Sequence, residues 1–180
     1  MLNLPRITVV VAAAALVAGC HQGGSSSDGP GGELGWLNGR LPTAAGFSHS
    51  NAPLGQPIAF YASAVCTANG KPAQIESVSL KDAENLELVD WGIKPGVGGS
   101  GVWNGTVLSD EAFNQGPVTQ DCKGKNKAVS EVAVSLKRTG SGIGIMHGFN
   151  MKTDGGSLFA PVRLALCPKD CPDMTMDDLP

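Results

Sequence analysis

The fold is decided by residues 132–166, which read VAVSLKRTGSGIGIMHGFNMKTDGGSLFAPVRLAL. Apolar residues alternate with small or polar ones in three successive segments, and this period of two is typical of β-strands. Glycine-rich turns at 140–142 and 154–156 separate the segments. The pattern predicts a three-stranded meander whose alternating members are Val132, Val134 and Leu136, then Ile143, Ile145, His147, Phe149 and Met151, then Leu158, Ala160, Val162, Leu164 and Leu166.

Working outward from this stretch, similar patterns predict earlier strands at 58–66, 75–80 and 86–93. The Gly70–Pro72 turn predicts that the first two form a hairpin. A short apolar piece at 102–108 predicts an edge strand inside an otherwise irregular crossing. No segment has a sustained helical period, so we expect an all-β chain. About seven strands at short spacing favour an immunoglobulin-like β-sandwich, and a small barrel is the alternative.

The amino-terminal residues indicate where the protein resides. Residues 7–18 are uncharged, follow Arg6 and are too short to span a bilayer as a mature helix. Leu16-Val17-Ala18-Gly19-Cys20 resembles the lipobox of bacterial lipoproteins. That resemblance implies cleavage before Cys20 and acylation of its thiol and new amine, and firm anchoring needs two such chains. An ordinary signal peptide or a transmembrane anchor is the alternative.

These features predict four regions. A lipoprotein signal peptide covers 1–19, and the lipidated Cys20 with a flexible Gly/Ser linker covers 20–32. The β-sandwich domain follows at 33–167, and an acidic tail at 168–180 ends the chain. We expect the domain to face an extracytoplasmic space from the cell membrane or the outer membrane.

The net charge of the chain restricts the classes of partner that the protein is expected to bind. The chain has 13 Lys and Arg against 16 Asp and Glu, and removing 1–19 takes away only Arg6, so the mature net charge falls from −3 to about −4. The sequence shows no basic cluster, which argues against nucleic acid as a partner. Attachment to a membrane is therefore expected to come from the lipid, and the binding partner to be an envelope protein or a small ligand.

Four further cysteines, Cys66, Cys122, Cys167 and Cys171, predict two disulfides in an oxidising compartment. Three pairings are open. If the strands simply alternate in direction, Cys66 ends at the pole where Cys122 enters, which favours Cys66–Cys122. An extra strand at 102–108 would reverse the direction of the later strands and remove this preference for Cys66–Cys122.

The layout of 56–167 also resembles a group of small bacterial lipoproteins. In those chains one strand ends in cysteine, a mid-chain cysteine precedes a Val-x-Leu-x-Arg-Thr-Gly hairpin, and the final strand ends in Leu-Cys. The matching residues here are Cys66, Cys122, Val134 to Gly140, and Leu166-Cys167. The resemblance implies no activity.

Copper binding is the alternative function. Cys167-Pro168-Lys169-Asp170-Cys171-Pro172 resembles the motif of Sco-type copper chaperones, but no histidine follows it, and a disulfide closing a short loop is the simpler interpretation. Soft ligands for Cu(I) are nevertheless present. The candidate set is Met146, His147, Met151, Met174 and Met176, with His49. Against it, the pattern places His147 on an apolar strand face, which is typical of a core residue.

No catalytic pattern is recognisable. The sequence has no Gly-x-Ser-x-Gly elbow and no His-x-x-x-His pair, so we expect neither an enzyme nor a cofactor. Among the tryptophans, Trp91 should pack between sheets, whereas Trp103 in the glycine-rich crossing is the candidate binding residue. The sequence therefore predicts a lipid-anchored, non-catalytic binding or envelope-structural module.

Overall fold

The structure is a computed structural model that describes residues 31–37, 45–96, 101–124 and 128–171. The predicted signal peptide, Cys20, Met174 and Met176 lie outside these residues. The described chain confirms the all-β prediction: its regular elements are strands and short 3-10 turns, such as Val107–Ser109. None of its helical segments is long and apolar enough to cross a membrane.

Eleven strands are found in the described ranges. They are β1 (Leu34–Gly35), β2 (Ala45–His49), β3 (Ile58–Thr67), β4 (Ile75–Leu80), β5 (Leu86–Gly96), β6 (Val102–Asn104), β7 (Val129–Arg138), β8 (Gly144–Met146), β9 (Phe149–Thr153), β10 (Gly156–Ala160) and β11 (Val162–Leu166).

The larger sheet, called sheet one below, has the order β1-β3-β7-β5, and β6 also pairs with β3. All its pairs are antiparallel. The strands β1 and β6 occupy opposite ends of the same edge, since Leu34 lies opposite Thr67 and Asn104 opposite Ile58. The predicted edge strand at 102–108 is therefore real but ends at Asn104.

The second layer consists of two three-stranded sheets, β10-β9-β4 and β2-β11-β8. They share a continuous chain, because β8 leads into β9 and β10 leads into β11. The pair β2 and β11 is parallel, and the others are antiparallel.

The main hydrophobic core draws on both layers. Phe60, Val134 and Leu136 come from sheet one, while Met146, Phe149 and Leu164 come from the second layer. Phe47 of β2 approaches Phe60 with ring centroids 6.5 Å apart. Burial of these apolar surfaces between the layers is the main stabilising contribution.

Two predicted pairings are wrong. The strands β3 and β4 do not form a hairpin, because β3 pairs with β7 while β4 pairs with β9. The predicted pairing across the first turn of the meander is also wrong, since β8 pairs with β11 rather than with β7. The second pairing of the meander is confirmed, because β9 pairs with β10 and β8 pairs with β11, so that 143–151 lies antiparallel to 158–166. Turn residues signal a change of direction, but they do not identify which strand lies alongside.

The predicted face of the segment from Ile143 to Met151 is wrong as well. The strand is interrupted at His147-Gly148, where Gly148 has φ 140°, so the alternation changes phase. Met146 is fully buried before the break and Phe149 after it, whereas His147 is half-buried and faces a cleft. A strict period of two cannot anticipate one inserted residue.

The crossing between β6 and β7 covers the outer face of sheet one. Val107 and Phe113 pack there against Ala59 and Ala133. Consequently β7 is buried on both faces, and Ala133 and Ser135, which the alternation assigns to the poorer face, are completely inaccessible. Strands buried on both faces lose the contrast on which pattern-based assignment depends.

Candidate functional site

Trp103, the candidate binding residue, belongs to a cluster of aromatic rings on the outer face of sheet one. Its ring centroid lies 5.3 Å from that of Tyr61 on β3 and 5.9 Å from that of Phe113 in the crossing, with the latter pair stacked. Tyr61 and Phe113 are 5.8 Å apart. Phe113 is buried, while Trp103 and Tyr61 keep part of their surface in solvent. These three rings are called the aromatic patch below.

A charged pair borders the aromatic patch. The Lys94 ammonium donates a hydrogen bond of 2.6 Å to the Tyr61 hydroxyl, and its Nζ lies 4.8 Å from the ring centroids of both Tyr61 and Phe113. Its Nζ is also 3.5 Å from the carboxylate of the buried Glu131. Cation–π contact and ion pairing thus both hold the ammonium over the rings.

These contacts favour the charged form of Lys94. The hydrogen bond to Tyr61 is the main cause that raises the pKa of Lys94 above its ordinary value, and the negative charge of Glu131 adds to it. Desolvation acts in the opposite direction but is outweighed. At neutral pH the patch is therefore bordered by a fixed positive charge.

The crossing is held over sheet one by polar contacts from β5. The two carboxylate oxygens of Asp90 accept hydrogen bonds of 3.1 Å from the backbone N–H groups of Val107 and Leu108 at the start of the 3-10 turn. Further along, Ile93 and Asn114 exchange two backbone bonds of 2.8 and 3.0 Å. These bonds position Phe113 beneath Trp103.

Gly92 explains why the crossing can pack so closely on β5. A Cβ at this position would lie 3.0 Å from a methyl of Val107 and 3.1 Å from the Cβ of Phe113. Real side chains seldom tolerate such contacts, so the crossing can pack on β5 only because residue 92 has no side chain.

A cleft of about 590 Å³ lies elsewhere, beside the turn after β4. Its described lining consists of Asp82, Ala83, Glu84, Ile145 and His147. Asp82 is exposed and paired with Lys81 at 2.9 Å, so one of the two carboxylates is already neutralised by a neighbour. The cleft offers an imidazole and a carboxylate at an open surface.

The candidate copper ligands are not assembled among the described residues. Met146 and Met151 are fully buried in the main core, where apolar side chains surround them. His147 lies in the cleft, on the opposite side of the strand from Met146. His49 ends β2. The described ranges contain no group of three His, Cys, Asp or Glu residues placed to hold a metal ion.

The four cysteines form two pairs. Cys66 is bonded to Cys122, with Cα atoms 5.0 Å apart, and Cys167 is bonded to Cys171, with Cα atoms 5.3 Å apart. The first pair forms because β7 runs antiparallel to β3, so the chain entering β7 returns to the end of β3. The extra strand β6 does not reverse this direction, since it also runs antiparallel to β3.

The sequence pointed to Trp103 but not to the rest of the patch. Tyr61 follows the strand alternation correctly, yet Lys94 and Phe113 lie in segments without a clear period. A sequence feature that could have indicated the rest of the patch was Asp90, a charged residue inside an apolar strand. The prediction that Trp91 packs between the sheets is confirmed by its contact with the main core.

Comparison of the chain with protein-family models, with curated proteins and with solved structures found no match.

Proposed function

We propose that the chain is a lipid-anchored extracytoplasmic domain of immunoglobulin-like topology that binds a partner through the aromatic patch and performs no catalysis. The anchor is the acylated Cys20. The partner is an envelope protein or a small ligand, and the membrane contact is made through the lipid.

Strand order supports the immunoglobulin-like assignment. Sheet one has the order β1-β3-β7-β5, which corresponds to strands A, B, E and D of such a domain. The second layer supplies β4, then β8 with β9, then β10 with β11, in the positions of C, F and G. The strand β6 and the crossing after it are an insertion between D and E.

Two disulfides support an oxidising compartment. Such bonds persist outside the cytoplasm and are rare inside it. The first pair connects segments that the backbone already brings together, since the Cys122 N–H donates to the Thr67 carbonyl at 3.1 Å, and the second closes a loop between residues only 4 positions apart. These two disulfides are what we expect of a mature protein that is exported before it folds.

The half-exposed Trp103 is the observation that carries the binding role. A large aromatic side chain on a short edge strand is held in a fixed orientation by Tyr61 and Phe113, so little rotamer entropy is lost when a partner covers it. The adjacent ammonium of Lys94 adds a charged contact at the rim. Rigid aromatic side chains beside a cation are typical of binding hot spots.

Anchoring is tested in cells with Cys20→Ser. The unmodified chain is expected to incorporate labelled palmitate and to sediment with membranes, whereas the variant does neither. A variant that stays membrane-bound and labelled would contradict the lipid-anchor proposal.

Binding is tested by fluorescence with Trp103 as the only tryptophan, after Trp36→Phe and Trp91→Phe. Fractionated envelope components are added, and the proposal expects the emission to shift with one of them. The matched controls are Trp103→Phe, which keeps a ring, and Val89→Ala, which trims an apolar residue exposed elsewhere. Equal partner binding by wild type and Trp103→Ala would contradict a role for the patch.

A further inference from the structure

The end of the predicted linker is packed onto the domain. Thr153 Oγ1 donates a buried hydrogen bond of 3.0 Å to the Gly32 carbonyl, and the Asn69 side-chain amide donates one of 3.0 Å to the Gly31 carbonyl. Strand β1 follows at once and pairs with the end of β3. Ordered contacts therefore begin two residues before the predicted start of the domain at Glu33.

The backbone around Gly32 leaves no room for a side chain. A Cβ on Gly32 would overlap the Pro72 carbonyl, and one on Gly31 would overlap the Asp154 carboxylate. On the opposing turn, a Cβ on Gly155 would lie 2.6 Å from the Gly32 carbonyl oxygen. We call this arrangement the glycine seat: Gly31 and Gly32 held by Asn69, Pro72, Thr153 and Gly155.

The glycine seat lies at one pole of the domain, called the near pole, together with the turns at 68–72 and 154–155. The strand β3 runs toward it and β11 runs away from it. The opposite, far pole carries the turn at 81–85, the Gly140–Gly142 turn and the Cys167–Cys171 loop.

Both candidate surfaces lie toward the far pole. Trp103 pairs with Ala59 near the beginning of β3, whereas β1 pairs with Thr67 at its end. At ~3.3 Å per residue, these two positions on β3 are roughly 26 Å apart. The cleft lined by Glu84 and Ile145 is at the far pole itself.

We propose that the glycine seat orients the anchored domain: it keeps the near pole toward the bilayer and presents the aromatic patch and the cleft away from it. This inference rests on the proposed attachment at Cys20. Ten residues separate Cys20 from Gly31. The patch therefore lies roughly 26 Å farther along β3 than the near pole, where the chain from Cys20 enters the domain. The partner it fits is a macromolecule that approaches from outside the anchoring membrane, not a lipid of that membrane.

The test uses the chain from Cys20 onward, with its thiol joined to a maleimide lipid in phosphatidylcholine liposomes. The other four cysteines are oxidised, so Cys20 is the single reactive thiol. A fluorescent amino acid is placed at Lys71 on the near pole or at Ala83 on the far pole, both of which are exposed. Energy transfer to a labelled headgroup lipid reports which pole is closer.

The wild-type seat is expected to give more transfer from position 71 than from position 83. Gly32→Val removes the seat but leaves β1 paired with the end of β3, so this difference should become smaller. Thr153→Val keeps the shape of the side chain but removes the hydroxyl that contacts the Gly32 and Gly156 carbonyls, so the difference in transfer should become smaller while the fold is retained. Gly142→Ala is the matched control, because its nearest neighbour would be 3.5 Å away, and it should leave the transfer unchanged.

Equal transfer from the two positions in the wild type would overturn the inference. So would an unchanged difference in Gly32→Val and Thr153→Val variants that melt as folded proteins. Because the lipid is attached chemically, neither result depends on whether cells acylate Cys20. The experiment therefore distinguishes a failure of the lipid-anchor proposal from a failure of the glycine-seat proposal.

Discussion

Replacing both Cys66 and Cys122 with alanine should destabilise the domain much more than replacing Cys167 and Cys171. The first bridge joins residues separated by 56 positions and connects the end of β3 to the crossing, whereas the second spans only 4. A bridge stabilises chiefly by restricting the unfolded chain, and the restriction grows with the length of the loop that it closes.

The chain-entropy relation gives the expected magnitudes. The longer loop corresponds to about 4 kcal/mol of unfolding free energy and the shorter to about 2 kcal/mol. The packing losses are matched, because each pair contains one fully buried cysteine, Cys66 or Cys167. The difference between the two double variants should therefore be about 2 kcal/mol.

Urea denaturation followed by circular dichroism, without reductant, measures both variants against the wild type. The variant lacking Cys66–Cys122 should also show a larger dependence of free energy on urea, because its unfolded chain is less compact. Equal losses in the two variants, or a larger loss without Cys167–Cys171, would refute the loop-length argument.

Two further substitutions test local contacts. Lys94→Met should cost about 1–2 kcal/mol at neutral pH, since it removes charged hydrogen bonds. Because the pKa of Lys94 is raised, its contribution is complete below the ordinary pKa of lysine and is lost as pH rises through the folded value, so the variant's thermal melting should depend less on pH in the alkaline range. Gly148→Ala should destabilise by about 1–3 kcal/mol, because φ is 140° and the new Cβ would lie 2.6 Å from the Ala160 carbonyl oxygen. Gly142→Ala, measured by the same urea titration, should be neutral, and similar losses for both glycines would contradict the strain argument.

The sequence located strands well where a face is cleanly alternating. Strand β4 was predicted at its observed bounds, and β3 and β7 were recognised from Phe60 and Val134 and their neighbours. In β4 the buried residues are separated by exposed ones, and in β7, although both faces are buried, the larger Val132, Val134 and Leu136 still alternate with smaller residues. The signal depends on that contrast.

In other parts of the chain, the structure depends on contacts between residues that are far apart in the sequence. Strand β2 reads AGFSH and forms because β11 offers it a partner, so its own residues carry little preference. The face of His147 depends on the break at Gly148, and the aromatic patch depends on a crossing that folds back over Gly92. Tertiary pairing overrides propensity in each case.

The central position of β7 has a consequence for folding during synthesis. Its two neighbours, β3 and β5, are both translated before it, and neither pairs with the other. Until Val129–Arg138 leaves the ribosome, β3 and β5 each present an open row of amides and carbonyls. A pause in translation just before residue 129 would therefore prolong the time in which these open edges can aggregate.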